Sequence, residues 1–298
     1  MNNPDTRVLI YGPRKGGTTL LQRLIDGGEI YVYPTELKMK WFARASSEKK
    51  DHLIDQYKNK NKLKNESHFG FDNNLYLEIF RKKTNAVRSL RDLIEIDLAA
   101  AIECSPKPVF EYQGWAVKEV GGDVDQIFSE WKKMFPDSKI LMIVRNPLLV
   151  SRAVFRQRRR NSIRLSLRKL YKQAVDPWIV LLKQSKYIGR KDTLIISYEQ
   201  LVSETSVVMK KVCEFLSINY SEVFCKPTLF GKEVIVRTSS KKTTSVFQDN
   251  PSFWNDLSLK EIISIICAAV LYGLVIRILL RHAPSYAEFS KAISKWLI

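Results

Sequence analysis

The chain has few of the residues that build cross-linked or metal-stabilised proteins. Its 298 residues contain four cysteines (Cys104, Cys213, Cys225 and Cys267), and no two of them have C-x-x-C spacing. Such spacing is the usual sign of a disulfide or zinc framework. We therefore expect reduced cysteines in the core and no metal site.

A long hydrophobic run is also missing. The most apolar segment, Ile262–Ile276, has about 15 residues, whereas a membrane-spanning helix needs roughly 20. This length favours a buried core helix, although peripheral membrane contact through this end and the basic, apolar tail at 274–298 stays open. Because the polar segment Met1–Arg7 leads straight into a strand and resembles no signal peptide, we expect a cytoplasmic protein.

Acidic residues are absent from Ser138 to Val175, where eleven lysines and arginines occur. The whole chain has a formal net charge of +18. This charge implies an anionic partner, which the composition leaves open as a nucleotide, an acidic glycan, a membrane surface or a nucleic acid.

Short apolar runs alternate with helical patterns, which predicts an α/β fold. The predicted strands are Val8–Tyr11, Ile30–Pro34, Lys139–Val144 and Thr193–Ile196. Runs this apolar are typical of a parallel sheet covered on both faces. We expect one domain over residues 1–298, with a central parallel sheet flanked by helices, and an exposed loop at 46–65.

The first strand leads into a glycine-rich turn and a helix, which is the arrangement of a phosphate-binding loop. Gly12, Gly17 and Thr19 have the spacing of the nucleotide-triphosphate loop G-x-x-x-x-G-K-[ST]. Thr18, however, stands where that loop has its lysine, and the cations Arg14 and Lys15 lie inside the turn.

The segment Gly12–Leu21 resembles the 5′-phosphosulfate loop of sulfotransferases that use 3′-phosphoadenosine 5′-phosphosulfate (PAPS). It is closest to the carbohydrate-modifying (Golgi-type) and bacterial branch of that family. The resemblance implies a P-loop-like fold and the cofactor PAPS, which leaves as adenosine 3′,5′-bisphosphate. It implies that Lys15 acts at the bridge oxygen. The implied cofactor-binding residues of the loop are Arg14, Lys15, Gly16, Gly17, Thr18, Thr19 and Leu20.

Two later segments resemble other parts of the same family. Phe135–Pro147 is similar to its second cofactor segment, which implies that Arg145 binds the 3′-phosphate. The family places a serine eight residues after this arginine, where this chain has Ala153, so Ser151 becomes the substitute candidate. Arg237, in the polar stretch 237–244, is a further candidate, on a loop closing over the nucleotide.

The general base has three candidates. Glu36 follows the second strand, at the sheet edge where α/β proteins bind ligands, and matches the base of the carbohydrate branch. Glu119 and His68 are the alternatives. Lys118 is placed by the resemblance near the sulfonate or the acceptor. Lys15, Glu36 and Lys118 are thus the predicted catalytic residues.

The resemblance implies sulfuryl transfer from PAPS to a hydroxyl or amine of a polar or anionic acceptor, with a glycan favoured. One rival prediction is a P-loop nucleotide kinase or NTPase, which the residue Thr18 disfavours. The other is a non-enzymatic protein that binds nucleic acid or an anionic membrane, although we do not expect nucleic acid to bind. The sequence leaves the oligomeric state open.

Overall fold

The structure is a computed structural model. It describes residues 6–39, 42, 47–58, 71–84, 87, 89–106, 112–163, 165–237, 242–243 and 257–281.

A five-stranded parallel sheet lies at the centre of the fold, in the order β2-β3-β1-β4-β5. Its strands are β1 (Thr6–Gly12), β2 (Ile30–Glu36), β3 (Gly114–Val120), β4 (Lys139–Val144) and β5 (Thr193–Ser197). Two short hairpins follow: β6 (Thr228–Leu229) with β7 (Lys232–Glu233), and β8 (Val236–Arg237) with β9 (Lys242–Thr243). The parallel sheet confirms the predicted α/β class.

Helices cover the sheet. In chain order they are α1 (Thr18–Ile25), α2 (Ser47–Lys58), α3 (Asn73–Thr84), α4 (Leu90–Glu103), α5 (Val124–Met134), α6 (Pro147–Arg160), α7 (Leu167–Ser185), α8 (Tyr198–Ser203), α9 (Thr205–Leu216) and α10 (Leu259–Arg281). One face of the sheet packs on α1, α8 and α9, and the other packs on α2 to α5. A third apolar cluster joins α6, α7 and α10 beside the end of β4.

Local sequence signals set the start of two helices near the carboxyl edge of the sheet. Asp123 accepts hydrogen bonds from the backbone N–H groups of Asp125 and Gln126, and so caps α5. Asn146 caps α6 by accepting from Leu148 N, and Pro147 occupies the first helical position, where no N–H donor is needed. Both helices therefore begin where a side-chain cap follows a strand or turn of the sheet edge.

Strand β2 differs from its prediction, because it continues through Pro34 to Glu36. The order of the sheet explains why. β2 is an edge strand, and an edge strand tolerates the missing N–H of proline. Its register against β3 shifts between Val32 and Glu36. Glu36 consequently belongs to the last position of the strand.

The expected exposed loop at 46–65 is wrong over 47–58, which form helix α2. Its side chains Ile54 and Tyr57 are buried, and Leu53 packs against the same cluster. Three apolar residues at helical spacing are enough to fix this otherwise polar helix on the core. Residues 46 and 59–65 lie outside the described part of the chain.

Helix α10 corrects two further expectations. It runs to Arg281, so residues 274–281 of the predicted tail are helical, while 282–298 lie outside the described residues. It is also not wholly buried: Ile265 and Ala268 are, but Ile263 and Cys267 are exposed. Within the described residues, no helix combines the length and apolar character needed to cross a bilayer.

A single buried carboxylate joins three elements on the α2–α5 side of the sheet. Asp97 on α4 accepts hydrogen bonds from Tyr33 on β2 (3.0 and 3.1 Å), Tyr57 on α2 (2.5 Å) and Tyr76 on α3 (2.7 Å). Burial, and then the Asp97 carboxylate, raise the pKa of all three tyrosines. The hydroxyls therefore stay protonated and act as donors.

We expect Asp97→Ala to destabilise the protein strongly. Each buried hydroxyl left without an acceptor costs about 1–3 kcal/mol, so we expect a loss above about 3 kcal/mol in the free energy of unfolding. Urea denaturation followed by circular dichroism measures it. The matched control is Asp92→Ala on the exposed side of the same helix, expected to cost less than about 1 kcal/mol. Equal losses in the two variants would contradict the role of Asp97.

Candidate active site

Two positions at the ends of the glycine-rich turn between β1 and α1 have no room for a side chain. Gly17 has φ 102° and stands at the N-cap of α1. A Cβ there would lie 2.2 Å from Cδ2 of Tyr198, and one at Gly12 would lie 2.4 Å from Cγ2 of Ile143. The turn thus presses against β4 and the start of α8, and the N-terminus of α1 forms one wall of the site. The first N–H groups of a helix suit an anion.

Lys15 lies in this turn, half-buried and with a left-handed backbone, φ 65°. Its pKa is lowered, first by burial and then by the nearby charges of Arg14, Arg160 and Arg145. Four cations therefore converge on one loop. Their mutual repulsion is relieved when an anion binds between them.

Lys118 on β3 supplies a second cation at the start of α1. Its Nζ donates to Oγ1 of Thr19 at 3.1 Å and to Oε1 of Gln22 at 2.7 Å. Side chains alternate between the two faces of a strand, and Lys118 lies on the face that packs on α1. Thr18 replaces the lysine of the triphosphate loop, and here a lysine from the neighbouring strand reaches the helix start instead.

Arg145, directly after β4, closes the other side of the loop. Its Nη1 donates to the carbonyl oxygen of Lys15 at 2.8 Å, and its guanidinium carbon lies 4.1 Å from the centre of the Tyr198 ring. Nε of Arg145 is buried and has no hydrogen-bond partner among the described residues. Glu199 accepts from the backbone N–H of Asn146 at 3.0 Å and so holds the turn after Arg145. Glu199 therefore has a structural contact here.

The structure separates the two described candidates for the base. Glu36 is partly exposed and is the register partner of Lys118 across β2 and β3. Glu119, one residue after Lys118, lies on the opposite face of the sheet, is 0% exposed and accepts from Met39 N at 2.5 Å. Glu119 is therefore separated by the sheet from Lys118 and the start of α1. His68 lies outside the described residues.

One predicted cofactor ligand, Ser151, is not joined to this cluster. Ser151 is 1% exposed, and its hydroxyl donates to the carbonyls of Pro147 and Ala174 (2.9 and 3.3 Å), so it is not available to a phosphate. Arg237 lies in β8, where its backbone pairs with Lys242 of β9, and its side chain lies outside the described part of the structure. Of the loop residues, Arg14 and Thr19 are exposed, while Gly16, Thr18 and Leu20 are buried.

The comparison with protein families decides the class. The sequence profile described as the sulfotransferase family matches residues 7–222, which include the loop, Lys118 and Arg145. This chain belongs to the sulfotransferase family. No curated protein sequence matches it significantly.

Solved sulfotransferase structures have a similar fold. The sulfotransferase domain of the Synechococcus PCC 7002 olefin synthase has a TM-score of 0.53 and 17% identity, over 92% of this chain and 96% of that one. The sulfotransferase domain from the curacin biosynthetic pathway has a TM-score of 0.53 and 13% identity, over 90% and 99%. Mouse sulfotransferase SULT7A1, complexed with PAP, has a TM-score of 0.51 and 13% identity, over 97% and 88%.

Sequence reasoning missed two residues of the candidate site. Gln22 is fully buried and joins the carbonyl of Tyr33 (2.5 Å) to Nζ of Lys118. Gln22 is a polar residue three positions after Thr19, among the apolar residues of α1, and this pattern could have indicated a buried polar contact. Tyr198 forms the floor under Gly17 and Arg145. Its role depends on where α8 lies, which no local pattern indicates.

Proposed function

We propose that this sulfotransferase moves a sulfuryl group from PAPS to an acceptor hydroxyl. The observation that supports this most directly is the convergence of Lys15 and Lys118 at the N-terminus of α1, with Arg145 bonded to the backbone of Lys15. Two cations and a helix start placed together suit an anion-transfer site.

The residues fit the two anionic ends of a 3′-phosphorylated adenine nucleotide. Residues 14–20, with the first turn of α1, would hold the 5′-phosphate, and Arg145 would hold the 3′-phosphate. The buried Nε of Arg145 and the lowered pKa of Lys15 both indicate groups that an anion would satisfy. A guanidinium binds phosphate through two parallel hydrogen bonds, which favours this assignment.

PAPS would supply a sulfuryl group whose bond to the phosphate bridge oxygen breaks as a new bond to the acceptor oxygen forms. Lys15 and Lys118 would stabilise the negative charge that develops on the bridge oxygen. Glu36 would accept the proton that the acceptor hydroxyl loses. Glu36 suits this role because it lies at the carboxyl edge of the sheet, beside Lys118, and is partly exposed.

We infer that the acceptor is a carbohydrate hydroxyl. An alkyl hydroxyl is a weak acid and needs a positioned base, which Glu36 offers on the edge strand of the sheet. The form of the loop, with Arg14-Lys15-Gly16-Gly17-Thr18, also resembles the carbohydrate-modifying branch.

The test of the cofactor is a calorimetric titration with adenosine 3′,5′-bisphosphate, ADP and ATP–Mg. We expect tight binding of the bisphosphate, and we expect Arg145→Ala to weaken it by about a hundredfold, through loss of charged hydrogen bonds. ADP lacks the 3′-phosphate, so its affinity should change little.

The matched control is Arg91→Ala, an arginine that also lies over an aromatic ring, Phe135, but on α4, across the sheet from the loop. It should leave both affinities unchanged. Equal weakening of bisphosphate and ADP in Arg145→Ala would mean that the arginine only supports the loop. Preference for ATP–Mg, or binding of nucleic acid alone, would overturn the proposal.

A further inference from the structure

The outer face of helix α10 is apolar and exposed to solvent. Four of its side chains are about half exposed or more: Ile263 (51%), Ile266 (47%), Leu271 (56%) and Val270 (66%). Leu259 and Cys267 extend the same face, since these positions recur every three or four residues. The opposite side of the helix packs on α7 through Ile265 and Ala268. A soluble helix rarely has apolar residues on both sides without a partner for each.

Positive charge is exposed on α10 and on the two helices packed against it. Arg159, at the end of α6, forms a 3.5 Å ion pair with Glu261, which is the acidic residue of the described part of α10 and is itself buried. Exposed cations are Lys260 on α10, Arg160 on α6, and Arg168, Lys169 and Lys172 on α7. The first turns of α7 also expose Leu167 and Tyr171, and Asp176 follows one turn after Lys172.

The same turn of α6 connects this face with the active site. Arg159 contacts α10, while the next residue, Arg160, is close enough to Lys15 for its charge to act on that lysine. The end of α6 therefore lies between the start of α10 and the loop that carries Lys15.

We propose that the outer face of α10 and the cations beside it form a docking surface for an anionic membrane. Apolar side chains flanked by lysine and arginine, on a helix that does not span, are the features of interfacial binding. A second copy of the chain is the less suitable occupant. Two surfaces with the same excess of positive charge repel each other, whereas an anionic headgroup layer attracts them.

The test is co-sedimentation of the full chain with lipid vesicles. We expect binding to phosphatidylcholine vesicles in which roughly a third of the lipid is phosphatidylglycerol, and little binding to phosphatidylcholine alone. The double variant Ile266→Glu, Val270→Glu should bind at least about tenfold more weakly, because it removes buried apolar area and adds repulsion. The double variant Ile266→Ser, Val270→Ser, which adds no charge, should also bind more weakly.

The matched control is Val207→Glu on α9. Val207 is 48% exposed, and α9 belongs to a different apolar cluster from the one that contains α10. It should bind vesicles as the unchanged protein does. Bisphosphate titration of every variant reports that the fold is intact, and it also separates a failure here from a failure of the proposed function.

Three results would overturn the inference. One is the absence of binding to anionic vesicles. The second is a loss of vesicle binding in Val207→Glu equal to that of the glutamate double variant, or normal vesicle binding by the serine double variant. Either result would mean that net charge alone determines vesicle binding. The third is a dimer, measured by light scattering, that the glutamate variant dissociates and that binds no vesicles, which would assign the face to a second copy.

Discussion

Lys15→Ala is expected to lower the turnover of sulfuryl transfer by about 10²–10³-fold, the effect of removing one cation or donor from a developing negative charge. Lys15 is the half-buried cation of the loop, and three arginines lie near it. Alanine keeps the Cβ that the left-handed backbone already accommodates, so the cost of the loop conformation hardly changes. The measurement is the steady-state rate with PAPS and a sugar acceptor.

The control for this variant is Lys211→Ala, which removes an exposed lysine from α9. It should leave both the rate and the thermal midpoint unchanged. A rate for Lys15→Ala close to that of the unchanged enzyme would remove Lys15 from the mechanism and leave Lys118 as the main cation. A rate loss accompanied by a large fall in the thermal midpoint would point to damage to the loop instead.

Glu36→Gln is expected to lower the turnover by about 10²–10⁴-fold, the usual contribution of a general base, while the affinity for adenosine 3′,5′-bisphosphate stays the same. The substitution keeps the shape of the side chain and removes its ability to take a proton. Because Glu36 lies across from Lys118 and not in the loop, nucleotide binding should not depend on it. Turnover and a calorimetric titration of the same sample separate the two effects.

The matched control is Glu214→Gln, on the exposed side of α9. It should change neither quantity. If Glu36→Gln instead retains full turnover, the proton must leave through another group, and His68 becomes the first residue to substitute. If it loses nucleotide affinity as well, Glu36 supports the site and does not act as a base.

Much of the site follows from local sequence. The run Val8–Tyr11, the glycines at 12 and 17 and the apolar face of α1 predict strand, turn and helix, and the structure has all three. Arg145 could be placed at a strand end because the run Ile140–Val144 before it is wholly apolar. In these segments the pattern and the fold depend on the same neighbouring residues.

Other features depend on partners far along the chain. Pro34 does not end β2, and this follows from the position of β2 at the sheet edge. Helix α2 is polar by composition, yet the hydroxyl of Tyr57 finds the Asp97 carboxylate 40 residues later. That Lys118 and Glu119 lie on opposite faces of the sheet follows from the sequence, since neighbouring side chains of a strand alternate between the faces. The sequence does not indicate which of the two faces helix α1 covers.

The order of the sheet also has a consequence for how the chain folds during synthesis. Strand β1 is central and pairs in parallel with two strands. Thr6 lies opposite Gly114 of β3, and Val8 lies opposite Lys139 of β4. Both partners emerge from the ribosome more than a hundred residues after β1, and non-local parallel pairing is slow. The apolar run Val8–Tyr11 therefore waits unpaired while most of the first half of the chain is made. The strand that orders the phosphate loop is thus the first of the sheet to be synthesised and must wait for two later partners, so its apolar side chains can be bound by chaperones in the nascent chain.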